Sequence, residues 1–210
     1  MNSLDPPRQY EVELKFRVQD AERLQEKLVD LNAIEQPREQ HRDTYYRHPC
    51  RDFVQTKEAL RIRNVSIAAS DTSGHQDAAQ EARVTYKGPR LPGDVKARHE
   101  LEWPLNPTDT QGQRMHELLT CLGFEPVATV VKSRRSMILT REGRDVTIAL
   151  DEVEQVGSYA EVEVIAGGDH DVQAARGIVS RLAEELSLTK PEARSYLSLL
   201  LAAGRRTEIS

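Results

Sequence analysis

Glu11-Val12-Glu13-Leu14-Lys15 alternates a charge with a hydrophobe at every step, and Phe16-Arg17-Val18 continues the pattern. A β-strand sends successive side chains to opposite faces, so Glu11, Glu13, Lys15 and Arg17 share one face while Val12, Leu14, Phe16 and Val18 share the other. Alone, the segment reads as an amphipathic strand with its charges in water. The pattern recurs, however, in Leu60-Arg61-Ile62-Arg63-Asn64-Val65, in Arg83, Thr85 and Lys87 set against Val84 and Tyr86, and in Lys96, Arg98, Glu100 and Glu102 set against Ala97, His99, Leu101 and Trp103. It returns with Lys132 and Arg134 within 127–139, Asp151 within 145–153, and Glu161 with Glu163 within 158–165.

Helical spacing separates these strands. Leu24, Leu28 and Leu31 fall on one face of 20–33, with Asp20 placed as a cap, and Met115, Leu118, Leu119 and Leu122 do so in 108–123, which Gly123 ends. Residues 40–46 have the composition of a strand, Glu142-Gly143-Arg144 joins two strands as a hairpin, and 172–186 and 192–201 are helical. Residues 66–80 lack apolar period and read as a mobile loop; 204–210 read as a disordered polar tail. The expected order is strand, helix, four strands, helix, three strands, two helices, in a single domain spanning 1–210 with its core at about 8–203.

Composition narrows the class. A chain of 210 residues with 38% hydrophobic content can bury a real core without disulfides, and Cys50 and Cys121 read as reduced thiols outside any C-x-x-C pair. No apolar run approaches the roughly 20 residues needed to span a bilayer, and the first residues lack a signal-peptide core, so a cytoplasmic protein without membrane contact is expected. A net charge of −5 argues against nucleic-acid binding by bulk electrostatics. The six histidines lack H-x-x-x-H spacing and no G-x-x-x-x-G-K-[ST] loop occurs, so any phosphate site must be built from side chains.

Eight such strands suit either an open sheet or a closed barrel, and the charges distinguish them. The in-step faces carry ten basic residues (Lys15, Arg17, Arg61, Arg63, Arg83, Lys87, Lys96, Arg98, Lys132 and Arg134) against seven acidic ones (Glu11, Glu13, Glu100, Glu102, Asp151, Glu161 and Glu163). A solvated face has no reason to gather the positive charge of an acidic protein. On the wall of a tunnel each charge must be paired, hydrated or bound to a ligand, and a polyanion with metal ions meets that need. The fold class is therefore α+β: an eight-stranded antiparallel β-barrel with a charged lumen, flanked by helices.

Glu11-x-Glu13-x-Lys15 resembles the E-x-E-x-K signature of the CYTH superfamily of triphosphate tunnel proteins. The likeness extends, in the family's order, through Asp43-Thr44-Tyr45-Tyr46, Ala59-Leu60-Arg61-Ile62-Arg63, Tyr86-Lys87-Gly88-Pro89, Lys96-x-Arg98-x-Glu100-x-Glu102, Lys132-x-Arg134, Leu150-Asp151-x-Val153, Glu161-x-Glu163 and Ser195-Tyr196-Leu197. The resemblance implies phosphate contact by Lys15, Arg61, Arg63, Lys87, Lys132 and Arg134, whose ammonium points and guanidinium forks suit a triphosphate. Arg83, Lys96 and Arg98 either join them or balance Glu100 and Glu102. It also implies Mg²⁺ or Mn²⁺ at Glu11, Glu13, Asp151, Glu161 and Glu163, with Glu13 and Glu161 the first candidates and the others bound directly or through water. Glu13, Arg63 and Arg134 are the expected catalytic residues.

Two reactions fit this inventory. The 43–63 and 132–151 blocks look most like class IV adenylyl cyclases, in which the ribose 3′-hydroxyl of ATP attacks the α-phosphorus and pyrophosphate leaves. In the alternative, water attacks the terminal phosphorus of inorganic or thiamine triphosphate. A third reading is a non-catalytic polyphosphate- or nucleotide-binding module. The partner is in each case a nucleoside triphosphate or another triphosphate; a homodimer is implied by the resemblance alone.

Overall fold

The alternating segments roll up because each has one apolar face to bury and none can stand alone. The computed structural model describes residues 8–67 and 79–207. Its strands are β1 (Tyr10–Arg17), β2 (Ile34–Glu35), β3 (Glu39–Arg47), β4 (Ala59–Ile67), β5 (Ala79–Arg90), β6 (Lys96–Pro104), β7 (Glu125–Arg141), β8 (Arg144–Val153) and β9 (Gly157–Ala166). The α-helices are α1 (Ala21–Asp30), α2 (Phe53–Thr56), α3 (Gln113–Cys121), α4 (Val172–Glu185) and α5 (Tyr196–Thr207). Antiparallel pairing runs β7-β3-β4-β5-β6-β1-β9-β8 and returns from β8 to β7, which closes an eight-stranded barrel. Closure depends on the length of β7: its first part pairs with β3 and its second with β8, Lys132 and Arg134 lying opposite both neighbours.

Parity then fixes the faces. Val12 and Phe16 of β1 are buried on the outside of the barrel, and Glu11, Glu13 and Lys15 point inward. The main core lies between this outer wall and the helices: Val12, Met137, Ile148, Val162 and Val164 pack under Leu24 and Leu28 of α1 and Ala175, Ile178, Val179 and Leu182 of α4. Asp20 caps α1 by accepting a hydrogen bond from the Arg23 amide at 2.9 Å, as its sequence position suggests. A smaller cluster of Tyr46, Ile62 and Leu119 lies beneath α3. A third cluster consists of Tyr45, Val130, Val153 and Tyr159 together with Tyr196 and Leu199 of α5. Tyr45, Val130, Val153 and Tyr159 share the inward parity of the charges, so this cluster closes part of the lumen and α5 rests on it.

Several sequence expectations are corrected in detail. β2 is an additional two-residue strand paired with Ile138 and Met137 of β7, and α2 occupies a stretch assigned no element. The last helix begins at Tyr196 rather than at 192; ahead of it, Pro191 bridges Phe16, and the Glu192 amide donates to the Lys15 carbonyl at 2.6 Å. Pro191 and Glu192 thereby lie along β1. Helix α5 continues to Thr207, through part of the segment read as a tail. Of the loop expected at 66–80, 68–78 lie outside the described residues, and β4 and β5 reach Ile67 and Ala79. Cys50 and Cys121 are exposed free thiols.

Leu182, 1% exposed between α4 and the barrel wall, tests this packing. Leu182→Ala is expected to lower the urea-unfolding free energy by about 2–5 kcal/mol, and a loss well below about 1 kcal/mol would contradict the burial described.

Candidate triphosphate site in the barrel lumen

The lumen opens into a cavity of about 1110 Å³ that brings together every sequence-expected site residue except Asp151, which is buried in its wall. Its mouth is framed by the β3–β4 connection with α2, and by Ala193 to Leu201 leading into and along α5. Arg17, in step with the lumen charges, is exposed at the end of β1.

One wall is organised by Asp43 of β3. Cross-strand register places it opposite Arg63 of β4 and places Tyr45 opposite Arg61. Its carboxylate accepts from Arg63 Nε and Nη2 at 2.7 and 2.8 Å and from Arg61 Nη1 at 3.3 Å. Burial alone would raise the Asp43 carboxyl, but the Arg63 and Arg61 guanidiniums overcome this and hold it well below the usual carboxylate range. Arg61 is raised despite its burial, chiefly by Asp43. The Nε of Arg61 is buried without a hydrogen-bond partner among the described residues.

The adjoining wall, across the β3–β7 pairing, is organised by Asp151. It accepts from Lys132 Nζ at 2.9 Å, from Arg134 Nε and Nη2 at 2.7 and 2.6 Å, and from the Tyr196 hydroxyl at 2.9 Å. Arg134 also donates to Glu161 at 2.6 Å. Burial is the largest influence on Lys132 and pushes its ammonium down to about 8, with Arg134 adding to the depression and Asp151 opposing it. Asp151 is held far below its ordinary value by Arg134 and Lys132 against the effect of burial. With all these donors on it, Asp151 acts here to orient two cations. Tyr196 does the same from α5: its ring faces Lys15 Nζ at 4.1 Å and Lys132 Nζ at 5.1 Å from the centroid.

Lys15 is 2% exposed and has no carboxylate within ion-pair distance among the described residues. Burial lowers its pKa, and Glu161 acts against that only through space. A buried ammonium facing a cavity, with an aromatic ring as its near neighbour, is poised for an anion.

The third group is acidic. Lys87 binds Glu11 and lies 2.9 Å from Glu100, and Lys96 donates to Glu13 at 3.0 Å. Glu163 lies opposite Glu13 across β1 and β9. Burial and then the Glu11 charge push the Glu163 carboxyl up to about 8. Burial also raises Glu11, with Glu13 adding to the effect against Lys87; at Glu13 itself Lys96 and Lys87 overcome burial and hold the carboxyl well below the ordinary range. Among the described residues no three Asp, Glu, His or Cys side chains converge as a ready-made metal site. The donor types nevertheless suit a hard divalent cation: Glu11, Glu13 and Glu163 are oxygen donors on the paired strands β1 and β9, the first two held by Lys87 and Lys96 and Glu163 with no ion-pair partner among the described residues. These three would hold the ion in exchange for the Lys87 and Lys96 contacts, with Glu161 able to join them from its contact with Arg134.

Asp43 carries no sequence signal of its own beyond its place in Asp43-Thr44-Tyr45-Tyr46; the β3–β4 register, which sets it opposite Arg63, reveals its part in the site. His41, two residues earlier, is 4% exposed; its Nε2 lies 2.6 Å from Glu39 and its Nδ1 is buried without a partner. Of the remaining in-step cations, Arg83 pairs with Glu81 and with Glu102 at 3.1 Å, Lys96 pairs with Glu13, and Arg98 has no carboxylate partner among the described residues.

A closed antiparallel barrel with a lumen lined by cations and carboxylates is the architecture on which the triphosphate-tunnel likeness of the sequence rests. The profile of the CYTH domain matches residues 9–196, and the chain belongs to that family. It is 28% identical over 191 residues, 90% of this chain and 97% of its relative, to a Methanocaldococcus jannaschii protein named "Putative adenylate cyclase MJ0240". Among solved structures, the PH1819 protein of Pyrococcus horikoshii OT3 is 38% identical with a TM-score of 0.76, over 91% of this chain and 98% of that one. A Hippeastrum protein described as a putative adenylyl cyclase with a dominant triphosphatase activity shares the fold at 15% identity and a TM-score of 0.60, over 92% and 95% of the two chains. The CYTH tunnel fold binds triphosphates, and its enzymes typically use divalent metal ions. No helix among the described residues is long and apolar enough to cross a membrane.

Removing the Asp43 charge leaves buried Arg63 without an ion-pair partner among the described residues and Arg61 with only Glu100 at 4.0 Å. Asp43→Asn is expected to lower the unfolding free energy by about 3–5 kcal/mol, partly restored by saturating inorganic triphosphate; a loss under about 1 kcal/mol would contradict the arrangement. His41 supplies a pH test. Burial pushes its imidazole down to about 4, Glu39 opposes this, and Arg63, Arg134 and Lys132 reinforce it. From about pH 6.5 down to about 4 the unfolded chain takes up a proton that the native state does not, so this site costs stability as pH falls through that window. Unfolding free energy is therefore expected to drop more between pH 7 and 4.5 in the native sequence than in His41→Gln, and equal slopes would refute the buried neutral imidazole.

Proposed function

We propose that the chain is a metal-dependent enzyme that converts ATP to cyclic AMP and pyrophosphate within its tunnel. The observation that carries the phosphate reading is Lys15: a buried ammonium without a carboxylate partner, facing the same cavity as Arg61, Arg63, Lys87, Lys132 and Arg134. A triphosphate brings about four negative charges to this cluster. The cavity is large enough for a nucleoside as well, and its mouth offers Phe53, Val54 and Leu197 beside the charged wall. The cyclase in particular is supported by the name of the M. jannaschii relative and by the likeness of the 43–63 and 132–151 blocks to class IV cyclases.

In the proposed reaction Arg61 and Arg63, fixed by Asp43, and Lys132 and Arg134, fixed by Asp151 and Tyr196, grip the phosphate chain from the strands on either side of β3. Lys15 of β1 and Lys87 of β5 contribute point charges from other strands of the ring. The 3′-oxygen forms a bond to the α-phosphorus, the bond from that phosphorus to the bridging oxygen breaks, and pyrophosphate leaves; the hydroxyl proton passes to water. A divalent ion at Glu11, Glu13 and Glu163 would stabilise negative charge developing on the phosphate oxygens. Hydrolysis of the terminal phosphate is the second reading. It is favoured by the activity described for the Hippeastrum protein and uses the same residues with a different phosphorus in line.

Incubation of the purified chain with ATP, inorganic triphosphate and thiamine triphosphate, each with Mg²⁺ or Mn²⁺, tests the proposal. Cyclic AMP with pyrophosphate is the expected result; orthophosphate alone supports hydrolysis, and tight binding without product reduces the chain to a binding module. Glu13→Gln and Glu161→Gln are each expected to abolish turnover with the fold intact, and Arg63→Ala to raise KM and lower kcat together. Full activity in either glutamine variant would overturn the acidic assignments.

A further inference from the structure

The arginines that line the cavity fall into two sets. Arg47, Arg51, Arg61, Arg63, Arg134 and Arg194 each have a carboxylate within ion-pair distance. Arg90 and Arg98 have none among the described residues, although both line the same cavity. The two are partners in the β5–β6 register, just past the irregularity that follows Lys87. Like charges placed directly opposite one another on adjacent strands destabilise a sheet, and each long side chain could turn toward solvent instead. Neither is exposed: both are half-buried, and the Nε of Arg90 is buried with no hydrogen-bond partner.

Nearby groups do not relieve the pair. Arg90 Nη2 donates to the Ala193 carbonyl at 2.7 Å, a neutral acceptor in the segment leading into α5. Glu13 acts on Arg90 only through space, while its carboxylate accepts from Lys96. Glu11, opposite Arg98 on β1, is taken by Lys87. Two guanidiniums therefore line the cavity with no carboxylate partner among the described residues, Arg90 using one donor on the neutral Ala193 carbonyl.

We propose that Arg90 and Arg98 form an additional anion subsite that takes the fourth phosphate of a linear oligophosphate whose other three occupy the lumen cradle. This rests on the triphosphate reading above and deepens it, extending the ligand class from triphosphates to chains of four or more phosphates, free or carried on a nucleoside. A phosphate oxygen pair between the two guanidiniums removes their repulsion and satisfies donors that the protein leaves open.

The test is calorimetric titration of the full chain with inorganic triphosphate and inorganic tetraphosphate at one ionic strength, in EDTA and again in Ca²⁺. The native sequence is expected to bind tetraphosphate about tenfold more tightly than triphosphate, the gain of one charge-assisted contact. In Arg90→Met/Arg98→Met the ratio is expected to fall to within about twofold of one. Arg98→Glu, which replaces the repulsion by an ion pair with Arg90 and so favours the fold, is expected to bring the ratio below one. Equal affinity for the two chains in the native protein overturns this proposal and leaves the triphosphate cradle standing. So does a tenfold preference that survives in both variants, since the added phosphate then binds elsewhere. Absence of binding by either chain overturns the triphosphate reading and this proposal with it.

Discussion

A closed barrel with charges inside must neutralise them within its own walls or leave them for a ligand, and the arrangement of this molecule follows from that constraint. Taking a carboxylate or guanidinium out of water costs several kcal/mol per ion unless partners replace the lost hydration. Asp43 and Asp151, on the two strands that flank β7, are the main responses: each gathers two cations, and each is buried almost completely. The cations are thereby held in place before a substrate arrives, so little ordering remains to be done on binding. Lys15, the Nε of Arg61 and the Arg90–Arg98 pair are what this internal pairing leaves over.

The apolar elements serve the same constraint. Outside the barrel, α1 and α4 cover the β1, β7, β8 and β9 face with aliphatic side chains, so the wall that orients Glu13, Lys15 and Glu161 is rigidly backed. At the lumen, α5 sits on Tyr45, Val130, Val153 and Tyr159 and reaches inward with Tyr196. That residue belongs to both systems: its ring packs against Tyr159 while its hydroxyl donates to Asp151. The apolar cluster and the electrostatic centre thus share a side chain, and the position of α5 is coupled to that of Lys15 and Lys132.

Much of this was legible in the chain. Alternation identified the inward face of β1, β4, β5, β6 and β9, because a period of two is imposed by backbone geometry and survives any tertiary context. The surplus of positive charge on that face indicated a lumen rather than a wet surface. Pairing was not legible, since it depends on register. Asp43 sits in a strand whose charges fall on both faces, with Arg42 exposed and His41 and Asp43 inside, so its role emerged only when β3 was aligned with Arg61 and Arg63. The assignment of Asp151 to metal reflected its chemistry, but three cationic or hydroxyl partners already share it. Four-residue α2 and two-residue β2 are too short to show periodicity, and Pro191 and Glu192 adopt an extended course by bonding to β1, a tertiary interaction with no local signal.

If the internal cations of this barrel form a cradle for a triphosphate, a crystal structure of the chain grown with inorganic triphosphate and Mn²⁺ will show it. The three phosphates are expected inside the lumen, in contact with Lys15, Arg61, Arg63, Lys132 and Arg134, with the metal held among Glu11, Glu13 and Glu163. A ligand found only on the outer surface, with the lumen ion pairs unchanged and Lys15 solvated by water alone, would contradict it.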